Sequence, residues 1–113
     1  MRLTLDIDED INADELYVRV LTRAFNRGHF HKLQGKPYEI RESSNGGKHL
    51  VIYNVDLGAY EVMALREELG DDPVRLDKDY MNLERGLPVN ILFNKKIEEG
   101  EVKEAKLIEE GKI

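Results

Sequence analysis

The chain has 113 residues, is 41% hydrophobic and 35% charged, and carries a formal net charge of −6. Such a length suits one domain, 1–113, with a single core, and no apolar run approaches the ~20 residues of a membrane span. There is no cysteine, which excludes disulfides and thiolate metal sites and fits a cytoplasmic setting. Asp6, Asp8 and Asp10 interrupt any apolar leader, so no signal peptide is expected. The acidic total argues against a surface coated for nucleic acid.

Residues 2–8 alternate, with Leu3, Leu5 and Ile7 on one face and Thr4, Asp6 and Asp8 on the other, the period of a half-buried strand. Asn12 followed by Glu15 predicts a helix start, and Leu16, Tyr17, Val20, Leu21, Ala24 and Phe25 form the apolar stripe of a helix over about 13–27. Beside that stripe the run from Arg19 to Lys36 holds Arg19, Arg23, Arg27, Lys32 and Lys36 and no acid. It reads either as a local basic patch for nucleic acid or as a solvated helix face.

Residues 29–36 read as a loop, and Tyr38 to Ser43 alternates as a second strand. Ser44-Asn45-Gly46-Gly47 is a turn in which glycine permits positive φ and close approach of another group. Strand 48–54 then completes a hairpin that begins Lys48-His49. A second helix over about 59–69, capped by Asp56, buries Val62, Leu65 and Leu69. Asp72-Pro73 suits a helix restart, and the stretch from there to Gly86 reads part strand and part helix. Val89 to Phe93 is a continuous apolar run, read as a buried strand. The core is placed at 2–96, and the acidic tail 97–113 reads as a further hairpin strand around Gly100 or as a frayed helix.

The predicted fold is therefore α+β, a ferredoxin-like or RRM-like βαββαβ antiparallel sheet with helices on one face. Strands 1 and 3 lie side by side at its centre. With Leu3, Leu5 and Ile7 facing the helices, Asp6 and Asp8 share the open face with His49, Val51 and Tyr53. Two carboxylates at i and i+2 suit a hard divalent cation, Mg²⁺ or Mn²⁺. The glycine turn, Lys48 and His49 could offer donors to a triphosphate. The plainer alternative is solvated strand-end acids and a polar histidine. His29 and His31 have the spacing of a metal pair but no third ligand nearby, and Tyr53 could stack a base.

Leu5-Asp6-Ile7-Asp8 followed by Ser44-Asn45-Gly46-Gly47-Lys48-His49-Leu50 resembles the first two motifs of the archaeo-eukaryotic primase superfamily. Those motifs are a hydrophobic-Asp-x-Asp strand and a serine–glycine turn ending in histidine. The order and spacing suit the small primase-polymerases of archaeal plasmids and viruses. The resemblance implies an RRM-like catalytic core for metal-dependent nucleotidyl transfer in DNA replication. It casts Asp6 and Asp8 as metal ligands and Ser44 and His49 as contacts to the incoming triphosphate. The family's third acid fits Asp77 in Leu76-Asp77, and Asp79 nearly as well. Ser44 stands where the family usually starts serine–glycine, and the family's usual additional αβ unit and helical or zinc-binding segment have no counterpart here. Two other readings stand beside this one: a non-catalytic RRM-like binder of strands or nucleotides, and a small interaction module that pairs with a protein partner or a second copy.

Overall fold

The computed structural model describes residues 1–92, 95–98 and 100–113. The elements run β1 (Leu3–Ile7), α1 (Ala13–Asn26), α2 (Phe30–Leu33), β2 (Pro37–Glu42), β3 (Lys48–Ile52), α3 (Ala59–Glu68), α4 (Pro73–Glu84), β4 (Lys95–Glu98), β5 (Glu101–Glu104) and β6 (Lys106–Lys112). The chain is α+β with a four-stranded antiparallel sheet, as the ferredoxin-like reading expects. The strand order is β1-β3-β2-β6, and β4 and β5 pair separately as a hairpin around Gly100.

Alternation decides which face is packed. Leu3, Leu5 and Ile7 of β1, Ile40 of β2, and Leu50 and Ile52 of β3 are almost completely buried against Leu16, Val20 and Ala24 of α1 and Val62, Leu65 and Leu69 of α3. Each such side chain contributes about 1.5–3 kcal/mol through removal of apolar surface from water. The Asn12 side chain caps α1 by accepting the Glu15 N–H at 2.8 Å. The N-cap of α3 is Gly58, not the expected Asp56, and the Glu61 carboxylate accepts the Gly58 N–H at 2.9 Å. A short helix, α2, interrupts the expected 29–36 loop. From Pro73 to Glu84 the chain is helical throughout.

Two expectations about the sheet are corrected. Residues 89–92 form no strand, and Phe93 lies outside the described residues. Asn90 interrupts the run: it sits at φ 60°, outside any extended conformation, with its side chain turned into a buried polar cluster. The fourth strand is instead β6, hydrogen-bonded to β2 from Pro37↔Lys112 to Glu42↔Lys106, with a bulge where Ile40 and Arg41 oppose Glu109 and Leu107. Gly111 lies under the Tyr38 ring, where a Cβ would stand 3.3 Å from the nearest ring carbon. Tyr38 itself packs on Tyr17 and donates to Glu109 at 3.0 Å, and burial with that carboxylate pushes its hydroxyl up to about 12.

With β6 on the far side, β1 is an edge strand rather than a central one. Its outward groups are satisfied by side chains and turn backbone from the α3–α4 region. The Asp6 N–H donates to Asp71 Oδ1 at 2.8 Å, and the Asp6 carbonyl accepts the Asp72 N–H at 3.1 Å. Arg75 donates to the Thr4 carbonyl at 3.3 Å and to the Thr4 hydroxyl. Behind this seal lies Arg66, with 0% of its surface exposed. Its Nε donates to Asp71 Oδ2 at 2.6 Å, and its Nη1 donates to Asp79 Oδ2 and Asn90 Oδ1, both at 2.7 Å. Arg75 also reaches Asp71 Oδ2 at 2.7 Å. Two guanidinium groups thus balance two carboxylates in a desolvated cluster.

Removing one charge from such a cluster leaves the others buried and uncompensated. Arg66→Ala is therefore expected to cost about 3–5 kcal/mol, read by urea unfolding against wild type. Arg66→Ala unfolding at the wild-type midpoint would mean that the cluster does not hold α4 to the sheet.

Candidate nucleotide and metal site

The two stretches singled out in the sequence meet. In the β1–β3 ladder Asp6 stands opposite His49 and Ile7 opposite Lys48. The His49 Nε2 is 3.4 Å from Asp6 Oδ1, with the histidine side chain 11% and the aspartate 25% exposed. The face that carries them is closed over farther along, since Thr4 and Val51 are buried.

The glycine turn presses on the end of β1. Gly46 adopts φ 85°, its N–H donates to the Ser43 carbonyl at 3.0 Å, and the Ser43 N–H returns to the Gly47 carbonyl at 2.9 Å. A Cβ on Gly47 would stand 2.9 Å from the Ile7 carbonyl oxygen and 3.6 Å from the Asp8 Cα. Only glycine lets the turn come this close to the aspartate pair. Ser44 and Asn45 are exposed at the tip, and Asp8 is exposed just past the end of β1.

Other expected residues are placed differently. Lys48 is buried, and its Nζ donates to Glu42 Oε1 at 3.1 Å and to the Gly46 carbonyl at 2.9 Å, so it braces the turn from within. Asp77 is exposed on α4, while Asp6 and Asp79 line one cleft. Asp79 is committed to Arg66 and also accepts the Asn90 N–H at 3.2 Å. All five cations of the basic run have a carboxylate beside them: Arg19 with Glu9, Arg23 and Arg27 with Glu68, Lys32 with Glu61 and Lys36 with Asp56. Exposed pairs of this kind add little stability, but they cancel most of the field a phosphate backbone would feel. Burial and the neighbouring Glu39 push the Tyr53 hydroxyl up, and an acid beside that ring disfavours a strand's phosphates. His29 lies 3.8 Å from Glu61, and His31 does not join it in a metal group.

Among the described residues no group of three histidines or acids is arranged to hold a metal ion. What Asp6 and Asp8 offer is hard oxygen at the end of one strand. That donor set suits Mg²⁺ or Mn²⁺ held by one or two carboxylates together with substrate phosphates. The residues the sequence reading missed are Arg66, Asp71, Arg75 and Asn90. Arg66 carried a signal, since it occupies the i+4 position of the stripe that starts at Val62 and continues through Leu65 and Leu69.

Gly47→Ala forces its methyl group against the Ile7 carbonyl, and the cost expected is about 1–3 kcal/mol in urea unfolding. A Gly47→Ala protein as stable as wild type would show that the turn does not bear on β1.

No protein-family model matches the chain, and neither does any curated protein or solved structure.

Proposed function

We propose that the chain is a minimal primase-polymerase-like core that binds a nucleoside triphosphate with a divalent cation and serves nucleotidyl transfer in DNA replication, in the cytoplasm. The observation that carries this reading is the meeting of Asp6, His49 and Gly47 at the end of β1, with His49 3.4 Å from Asp6. Asp6 and Asp8 would hold Mg²⁺ or Mn²⁺, which when bound offsets triphosphate charge and orients its oxygens. Backbone N–H groups of the Ser44–Gly47 turn and the His49 imidazole would donate to phosphate oxygens. In the transfer itself a 3′-hydroxyl attacks the α-phosphorus, gives its proton to solvent water and displaces pyrophosphate. His49 would hold the phosphate chain during that displacement.

Two features bound this proposal. The site draws on two carboxylates, Asp6 and Asp8, so a cation there would depend on phosphate oxygens for much of its shell. With its five cations paired, the 19–36 surface is a weak support for template binding. No helix among the described residues is long and apolar enough to cross a membrane. The interaction-module reading draws on a different observation. β6 lies at an edge of the sheet and leaves Leu107 and Ile108 about 40% exposed.

Calorimetric titration separates these readings. Mn²⁺ alone is expected to bind weakly and a nucleoside triphosphate alone weakly. Each should tighten the other by about tenfold or more, a coupling of ~1.4 kcal/mol or greater. Asp6→Asn/Asp8→Asn abolishes the coupling. Wild type that binds neither would end the nucleotide reading and leave the β6 edge as the functional surface.

A further inference from the structure

We infer that the cleft between the outer edge of β1, helix α4 and residues 88–92 receives the nucleobase and ribose of the bound nucleotide. This rests on the proposed metal–triphosphate site. The cleft has a volume of about 390 Å³, within the range of small-molecule sites. Asp6 belongs to both places: it lines the cleft and pairs with His49. A nucleotide with its phosphates at Asp6, Asp8 and the glycine turn therefore has this cleft as its neighbouring hollow.

The lining chemistry chooses the base end over the phosphate end. Val74, Pro88, Ile91 and Leu92 supply apolar surface, and Val74 and Ile91 remain 74% and 43% exposed, so the cleft leaves apolar area in water that a ring could cover. Besides the shared Asp6, Asp72 lines it as a further acid, which disfavours a phosphate with no cation at hand but not a neutral base. Arg75 in the same wall already spends donors on the Thr4 carbonyl and on Asp71. Asn82 and Lys78 lie one helical turn apart on the α4 side. The Asn82 amide carries both donors and an acceptor, the complement needed at the edge of a base. Lys78 stands on the same wall as a donor for ribose hydroxyls.

The test uses the whole protein and two half-ligands. Adenosine and uridine are titrated without metal, followed by backbone and methyl NMR. Mg²⁺ with tripolyphosphate is titrated separately. The expected result is that a nucleoside shifts Val74, Asn82 and Ile91 signals. In addition, Asn82→Ala and Ile91→Ser should each lower the affinity for Mg²⁺–triphosphate nucleotide relative to Mg²⁺–tripolyphosphate by about fivefold. Nucleosides that leave those signals unmoved while Mg²⁺–tripolyphosphate binds would overturn the cleft assignment alone. Nucleoside shifts at the cleft with no binding of Mg²⁺–tripolyphosphate would support the cleft and overturn the phosphate site at Asp6 and Asp8.

Discussion

Arg66 is the residue on which the arrangement of this molecule turns. A guanidinium with no exposure is tolerable only where its charge is met by fixed acceptors. Here Asp71, Asp79 and Asn90 meet it, and they come from three separate parts of the chain: the α3–α4 turn, α4 itself and the segment after it. Satisfying one buried charge therefore ties the α3–α4 turn, α4 and the segment after it to α3. A hydrophobic residue at 66 would bind α3 to its neighbours without specifying where α4 and Asn90 must go.

The same cluster decides the fate of β1. An edge strand exposes a row of backbone donors and acceptors that invites pairing with another chain. In this fold Asp71 and Asp72 occupy the groups of Asp6, and Arg75 occupies the carbonyl of Thr4. Asp71 is shared: one oxygen serves the sheet edge while the other serves Arg66 and Arg75. The candidate site inherits this rigidity, because the backbone that presents the Asp6 side chain is clamped on both sides, by β3 and by Asp71. The nucleotide reading depends on that clamped aspartate, and so does the cleft beside it.

What could be read from the sequence was what local pattern and topology determine. The alternation of Leu3, Leu5 and Ile7 decides which side of β1 carries Asp6, and antiparallel pairing with the 48–52 strand places His49 opposite it. Asn12 and Pro73 mark helix starts through chemistry confined to one turn. The remainder depended on long-range polar contacts. Val89-Asn90-Ile91-Leu92 looks like a strand until Arg66 draws Asn90 into a left-handed conformation. β6 is a mostly polar strand at an exposed edge, without the apolar alternation that betrays a half-buried one. Lys48 and the 19–36 cations look available in one dimension. Lys48 is met by Glu42, its cross-strand neighbour in the β2–β3 hairpin, and Arg19 by the nearby Glu9. Glu68 and Glu61, by contrast, reach Arg23, Arg27 and Lys32 only through helix packing. Arg66 alone carried a warning, through its place in the α3 stripe.

Asp71 holds the outer edge of β1 and so presents Asp6 in a fixed frame. Amide hydrogen exchange at Asp6 tests it most directly, because that N–H points away from β3 and its acceptor is the Asp71 carboxylate. The Asp6 amide is expected to be protected nearly as well as that of Leu50 in the wild type. In Asp71→Ala its protection should fall far more than that of Leu50. An Asp6 amide that exchanges freely in the wild type, or keeps its protection in Asp71→Ala, would show that Asp71 does not hold this edge.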